Sequence, residues 1–202
     1  PEGPGSAAAK EVALYRDALR LGFDQLRKTQ GLITNRIIID MFRLLKGRDD
    51  GFRTQAGTEL KNDRTGETVY VPPQGPREIE TLMAGLEVFI NDDDACDLDP
   101  LIKMAIIHHQ FESIHPFPDG NGRIGRILNV LYLTRTGLLD IPILYLSRHI
   151  TGTKSDYYRL LQAVRDDGAW EDWVLYILEA VAETSQTTLQ LIEGLRAQMA
   201  DY

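Results

Sequence analysis

A single cysteine, Cys96, stands in 202 residues, so no disulfide can staple this fold from within. It lies in Asn91-Asp92-Asp93-Asp94-Ala95-Cys96-Asp97. Neighbouring carboxylates disfavour a thiolate there, which marks it as an incidental thiol of a reducing compartment. No apolar run approaches the ~18 residues of a membrane-spanning helix. No basic and apolar regions of a signal peptide open the chain either, and the expected location is cytoplasmic, with no membrane partner. Positive charge is in deficit. Lys and Arg number 22 against 30 Asp and Glu, a formal net charge of −8, which argues against direct nucleic-acid binding by this segment because a phosphate backbone requires a basic face. Internal repeats and low-complexity tracts are absent. What remains is a hydrophobic fraction of 43%, enough to bury a core, in a length that suits one good-sized domain, or one domain with an appendage.

Apolar periodicity predicts an all-α chain. Residues 1–9 read as a linker or an expression remnant. Val12, Tyr15, Leu19, Phe23 and Leu26 recur at helical spacing from Lys10 onward, and Gln30-Gly31 stops that helix. Thr34 or Asn35 can cap the next, which carries Ile37, Ile38, Met41, Leu44 and Leu45 to Lys46-Gly47. Residues 52–72 differ in kind. Asn62-Asp63-Arg64-Thr65-Gly66 is turn chemistry between two short polar arms, the second Thr68-Val69-Tyr70-Val71, closed by Pro72-Pro73. Such a hairpin is either a long loop or a docking strand for an extended peptide, and composition alone favours the loop. Helices follow over 76–90, over 100–113 (with Leu101, Met104, Ile107 and Phe111 as its stripe), from the motif below to about Arg135, near 154–166, and from Trp170 past Glu183. Residues 10–185 form the expected domain. Residues 186–202 are a more polar helical extension without a cap, so the natural chain is expected to continue.

The chemistry concentrates in His115-Pro116-Phe117-Pro118-Asp119-Gly120-Asn121-Gly122-Arg123-Ile124-Gly125-Arg126. Ile124, Ile127, Leu128 and Leu131 give the following helix a buried face. Arg123 and Arg126 share another face beside its N-terminal end, where free amides and the helix dipole attract anions. Gly120 and Gly122 let backbone approach a phosphate, and guanidinium forks match its oxygens. Asp119 at an anion site calls for a bridging Mg²⁺, which binds through one or two carboxylates plus substrate phosphates. His115 stands where a general base is needed, with the unperturbed histidine value of about 6.5 as the expectation from sequence. Phe117 is expected to face inward and pin the loop. His108 and His109 fall on an apolar helix and read as core residues; no spaced third ligand supports zinc.

These residues resemble the signature of the Fic-domain family, His-Pro-Phe-x-(Asp/Glu)-Gly-Asn-Gly-Arg-x-x-Arg, at every defined position. The likeness extends to Gly51-Phe52-Arg53, Val71-Pro72-Pro73, His109-Gln110-Phe111-Glu112-Ser113-Ile114, Leu144-Tyr145-Leu146-Ser147-Arg148, Asp156-Tyr157-Tyr158 and Asp172-Trp173, most of residues 10–185, and is to the bacterial branch. The resemblance implies a helical bundle around the motif loop and helix, with the hairpin as a flap. It implies adenylylation: transfer of AMP from ATP to a Ser, Thr or Tyr hydroxyl of a protein target, either another protein or this chain itself, with release of pyrophosphate. His115 is then the base, and Asp119 holds Mg²⁺. The Gly120, Asn121 and Gly122 amides with the Asn121 side chain receive the anion, and Arg123 and Arg126 take the β/γ end. Tyr157 and Tyr158 border the adenine pocket, although some relatives carry Asn where this chain has Arg165. Tyr70 and Val71 of the flap dock the target.

Many such proteins inhibit themselves through (Ser/Thr)-x-x-x-Glu-(Gly/Asn); no complete copy stands here, and Glu2-Gly3 matches only its tail. The alternatives are removal of AMP, transfer of another nucleotide or phosphate-containing group such as UMP or phosphocholine, and an idle interaction module, against which the intact His115 argues. A homodimer and a further nucleic-acid-binding domain beyond residue 202 stay open.

Overall fold

The computed structural model describes residues 7–62, 65–94 and 97–200. In order they form α1 (Ala7–Lys28), α2 (Asn35–Lys46), β1 (Leu60–Lys61), β2 (Thr68–Tyr70), α3 (Pro76–Asn91), α4 (Pro100–Ile114), α5 (Asn121–Arg135), α6 (Ser147–Gly152), α7 (Lys154–Asp167) and α8 (Trp170–Ala200). The all-α prediction with a small hairpin holds. Cys96, Glu2-Gly3 and the Asp63-Arg64 turn positions lie outside the described residues. Helix α1 opens at Ala7, three residues before the apolar period begins, and Val12 is solvent-exposed; Ala18 is its first fully buried position. The short α6, with Leu146 and Ile150 buried around it, has no period long enough to be read from sequence. The polar tail from residue 186 continues α8 without a break.

Local chemistry sets the boundaries. Thr34 caps α2 by accepting from the Ile37 amide at 3.3 Å, and Gly47 ends it in the left-handed region (φ 61°). Asp99 accepts from the Leu101 amide at 2.8 Å to cap α4, whose first residue is Pro100.

Helices α4 and α5 form the centre, α5 being buried at every position from Ile127 to Leu133. Their approach needs Gly125, where a Cβ would lie 2.7 Å from Glu112 Oε1 and 3.3 Å from His108 Cε1. On one side Phe42, Phe52 and Phe111 gather around Phe117. On the other, Trp173 of α8 donates to the Ala105 carbonyl at 2.8 Å, and Tyr157 of α7 meets His108 Nε2 at 2.9 Å. His108 and His109 are core residues as expected: burial pushes the first down to about 3 and the second to about 4. The hairpin pairs β1 with β2 antiparallel (Leu60 with Tyr70, Lys61 with Thr68) and bulges between Leu60 and Lys61. Among the described residues no helix is long and apolar enough to cross a membrane.

Candidate active site

The site begins where α4 stops. His115 takes a left-handed conformation (φ 49°) and its amide closes on the Phe111 carbonyl at 3.0 Å, so the chain leaves the helix abruptly and turns back. Phe117 pins that turn. It is fully buried and stacks on Phe42, ring centres 4.0 Å apart and planes within 7°. Asn121 closes the loop from the other side: its Oδ1 accepts from the Phe117 amide at 2.9 Å and its Nδ2 donates to the Phe117 carbonyl at 2.7 Å. That side chain is 2% exposed and engaged at both ends within the loop, so the face it leaves toward a ligand is backbone. Helix α5 then opens at Asn121 after Gly120 (φ 85°) with no side-chain cap, which leaves its first amides for an anion.

Arg53, which follows α2, is the residue that sequence reasoning gave no role. It is 4% exposed. Its amide donates to the Pro116 carbonyl at 2.8 Å, its Nε to the His115 carbonyl at 2.9 Å, and its Nη2 to the Pro73 carbonyl. It ties the hairpin's exit to the histidine's own backbone. The signal lay only in the likeness of Gly51-Phe52-Arg53 to a known family. Burial first, and then the Arg53 charge, push the His115 imidazole down to about 4. It is therefore neutral at pH 7, the state a proton acceptor needs. Its Nδ1 is buried, and the Glu112 backbone facing the ring offsets part of that shift.

The charged rim alternates in sign. Lys46, the last residue of α2, pairs with Asp119 and holds its carboxyl below the usual range. Asp119 Oδ2 is 3.8 Å from Arg123 Nη2, and Arg123 in turn pairs with Glu11 of α1. These groups with Lys10, Leu14 and Leu45 line a cleft of ≈ 470 Å³. Arg126 points along the next turn, its Nε donating to Ser147 Oγ at 2.7 Å. Beneath it Glu112 is buried, and burial pushes its carboxyl up to about 7. Among the described residues no group of three His, Cys, Asp or Glu could cage a metal. The exposed, ionised Asp119 fits a Mg²⁺ held by one carboxylate together with substrate phosphates.

The predicted residues divide in two. His115, Asp119, Gly120, Asn121, Gly122, Arg123 and Arg126 share one turn and helix end. Tyr157 is 3% exposed with its hydroxyl on His108, whereas its neighbour Tyr158 is 56% exposed, with Lys154 Nζ over its ring at 5.7 Å. Tyr70 turns inward, its hydroxyl donating to the Ser113 carbonyl at 3.0 Å, while Val71 lies just past β2, 55% exposed.

The model of the Fic/DOC family matches residues 27–133, more than half of the chain. The chain belongs to the Fic/DOC family. Relatives agree with that assignment. "Protein adenylyltransferase Fic" of Drosophila virilis is 29% identical over 167 residues, 83% of this chain and 32% of the relative. The protein of the same name from Drosophila mojavensis is 28% identical over 167 residues, 83% of this chain and 31% of the relative. The Fic domain described here thus spans about a third of the length of those relatives. Among solved structures, a Fic family protein from Desulfovibrio desulfuricans G20 superposes with a TM-score of 0.73 at 22% identity, covering 91% of this chain and 54% of that one. A Fic domain containing signaling protein from Bacteroides thetaiotaomicron VPI-5482 gives 0.71 at 22% identity, covering 96% and 76%. Both likenesses are of fold.

Proposed function

We propose that this Fic domain is a protein adenylyltransferase that moves AMP from ATP to a Ser, Thr or Tyr hydroxyl of a protein target. The observation that carries the reading is a neutral imidazole at the turn into an uncapped helix end flanked by two arginines. The relatives' printed name supports the same activity. His115 accepts the proton of the target hydroxyl as its oxygen attacks the α-phosphorus; the bond from that phosphorus to the bridging oxygen breaks, and pyrophosphate leaves. Little covalent work falls to the protein, so catalysis is positioning and charge stabilisation. The amides of Asn121 and Gly122 receive phosphate oxygens, and that of Gly120, held by Asp119 Oδ1 at 2.6 Å, joins them once the carboxylate turns away. Arg123 and Arg126 take the departing end, Arg123 exchanging Glu11 for phosphate. Mg²⁺ at Asp119 would supply countercharge to the phosphates. Tyr158 borders the adenine, with Tyr157 holding its helix against His108. The exposed valines of the hairpin face an extended target segment.

Incubation with α-³²P-ATP and Mg²⁺, wild type beside His115→Ala, tests this on the enzyme alone and with cell lysate. Label on protein that disappears in the variant is expected. Label from γ-³²P-ATP in its place, or none despite measured ATP binding, overturns AMP transfer in favour of phosphoryl transfer or removal chemistry.

A further inference from the structure

Arg165, on α7, belongs to no motif residue set and reaches across to the hairpin. Its guanidinium carbon lies 3.7 Å from the centre of the Tyr70 ring, and its Nε donates to Ser113 Oγ at 3.1 Å. Tyr70 donates to the Ser113 carbonyl, so β2, the end of α4 and α7 converge two residues before His115. A ladder of two and three residues cannot hold itself in water. It needs an anchor, and a cation stacked over a half-buried ring is a strong one. Arg53 fixes the strand's exit at Pro73; Arg165 fixes its end at Tyr70. Strand alternation then sends Val69 and Val71 outward, 49% and 55% exposed.

We infer that Arg165 is a positioning residue that clamps β2 through Tyr70 and so sets the register of a target hydroxyl against His115. Tyr70 is the anchor of the hairpin, and Val69 and Val71 are the side chains a target meets. The kinetic part of this inference rests on the transferase reading; the clamp itself does not.

The test uses wild type, Arg165→Met and Arg165→Lys. Hydrogen exchange of residues 66–72 is followed in the ligand-free protein, ATP affinity by calorimetry, and KM and kcat for a protein target. Arg165→Met is expected to speed hairpin exchange about tenfold, the scale of a cation–π contact, with α5 unchanged and Arg165→Lys in between. At ATP concentrations saturating for each variant, the KM for target is expected to rise about tenfold with kcat within about twofold. Unchanged hairpin exchange in folded Arg165→Met overturns the clamp, and a fall in kcat at constant KM overturns the positioning role. Faster exchange with no transfer even by wild type keeps the clamp and sinks the transferase reading. Should Arg165→Met not fold, Ser113→Ala removes the hydroxyl acceptor alone and is expected to speed exchange about threefold; no change there is equally fatal.

Discussion

At the level of single residues the most consequential quantity is the lowered His115 pKa, because a base must be unprotonated to act. In the proposed reaction an ordinary histidine base would lose activity as pH falls through 6.5; with the imidazole pushed down to about 4 by burial and Arg53, the acid limb of kcat/KM is expected near pH 4. A pH–rate profile flat from pH 8 to below 6 is expected, and Arg53→Met moves the limb upward by removing the repelling charge. Gly125 makes a second residue-scale case. Alanine there sets a Cβ against Glu112 Oε1 at 2.7 Å and Phe111 Cδ1 at 3.2 Å, and neither buried side chain can retreat. Gly125→Ala is expected to cost about 1–3 kcal/mol in urea unfolding.

Among the elements, the loop from His115 to Gly120 owes its shape to the helix that follows it. Asn121 returns both of its hydrogen bonds to Phe117, so Asn121→Ala leaves a buried amide and carbonyl unpaired. A loss of about 2 kcal/mol is expected, with ATP affinity falling further than stability alone explains, as read by calorimetry on the folded variant. The Thr34 cap of α2 is separate from the loop. Thr34→Ala is expected to lower stability by about 1 kcal/mol without altering kcat, although α2 ends at Lys46 beside Asp119.

For the molecule as a whole, stability should depend on pH through groups with opposite signs. His108, His109 and His115 are lowered from 6.5 to about 3, 4 and 4. Below pH 6.5 the unfolded chain takes up protons that the fold refuses, so stability is lost as pH falls through this window. Glu112 is raised from 4.5 to about 7, so the fold keeps a proton the unfolded chain releases, and its contribution is lost as pH rises from 4.5 through 7. Three histidines outweigh one carboxyl between 4.5 and 6.5. Chemical denaturation should therefore show stability climbing from pH 4.5 and levelling off above about pH 7. Glu112→Gln should steepen that climb.

The helices and the residues of the motif were legible in the chain because both are local. An α-helical face is written in residues three and four apart, and a turn that presents amides needs its glycines and its asparagine side by side. Thr34, Gly47, Phe117 and the buried His108 and His109 all followed from such near-neighbour chemistry. The surroundings of the motif did not. Lys46 reaches Asp119 across 73 residues of sequence, Arg53 the His115 carbonyl across 62, and Glu11 meets Arg123 across 112. The opposite fates of adjacent Tyr157 and Tyr158, and the clamp of Arg165 on Tyr70, likewise depend on which helices α7 packs between. Local propensity sees only a few neighbours along the chain, whereas countercharges, burial and the pKa values they set are decided by packing between distant segments, which exists only once the core of α4 and α5 has closed.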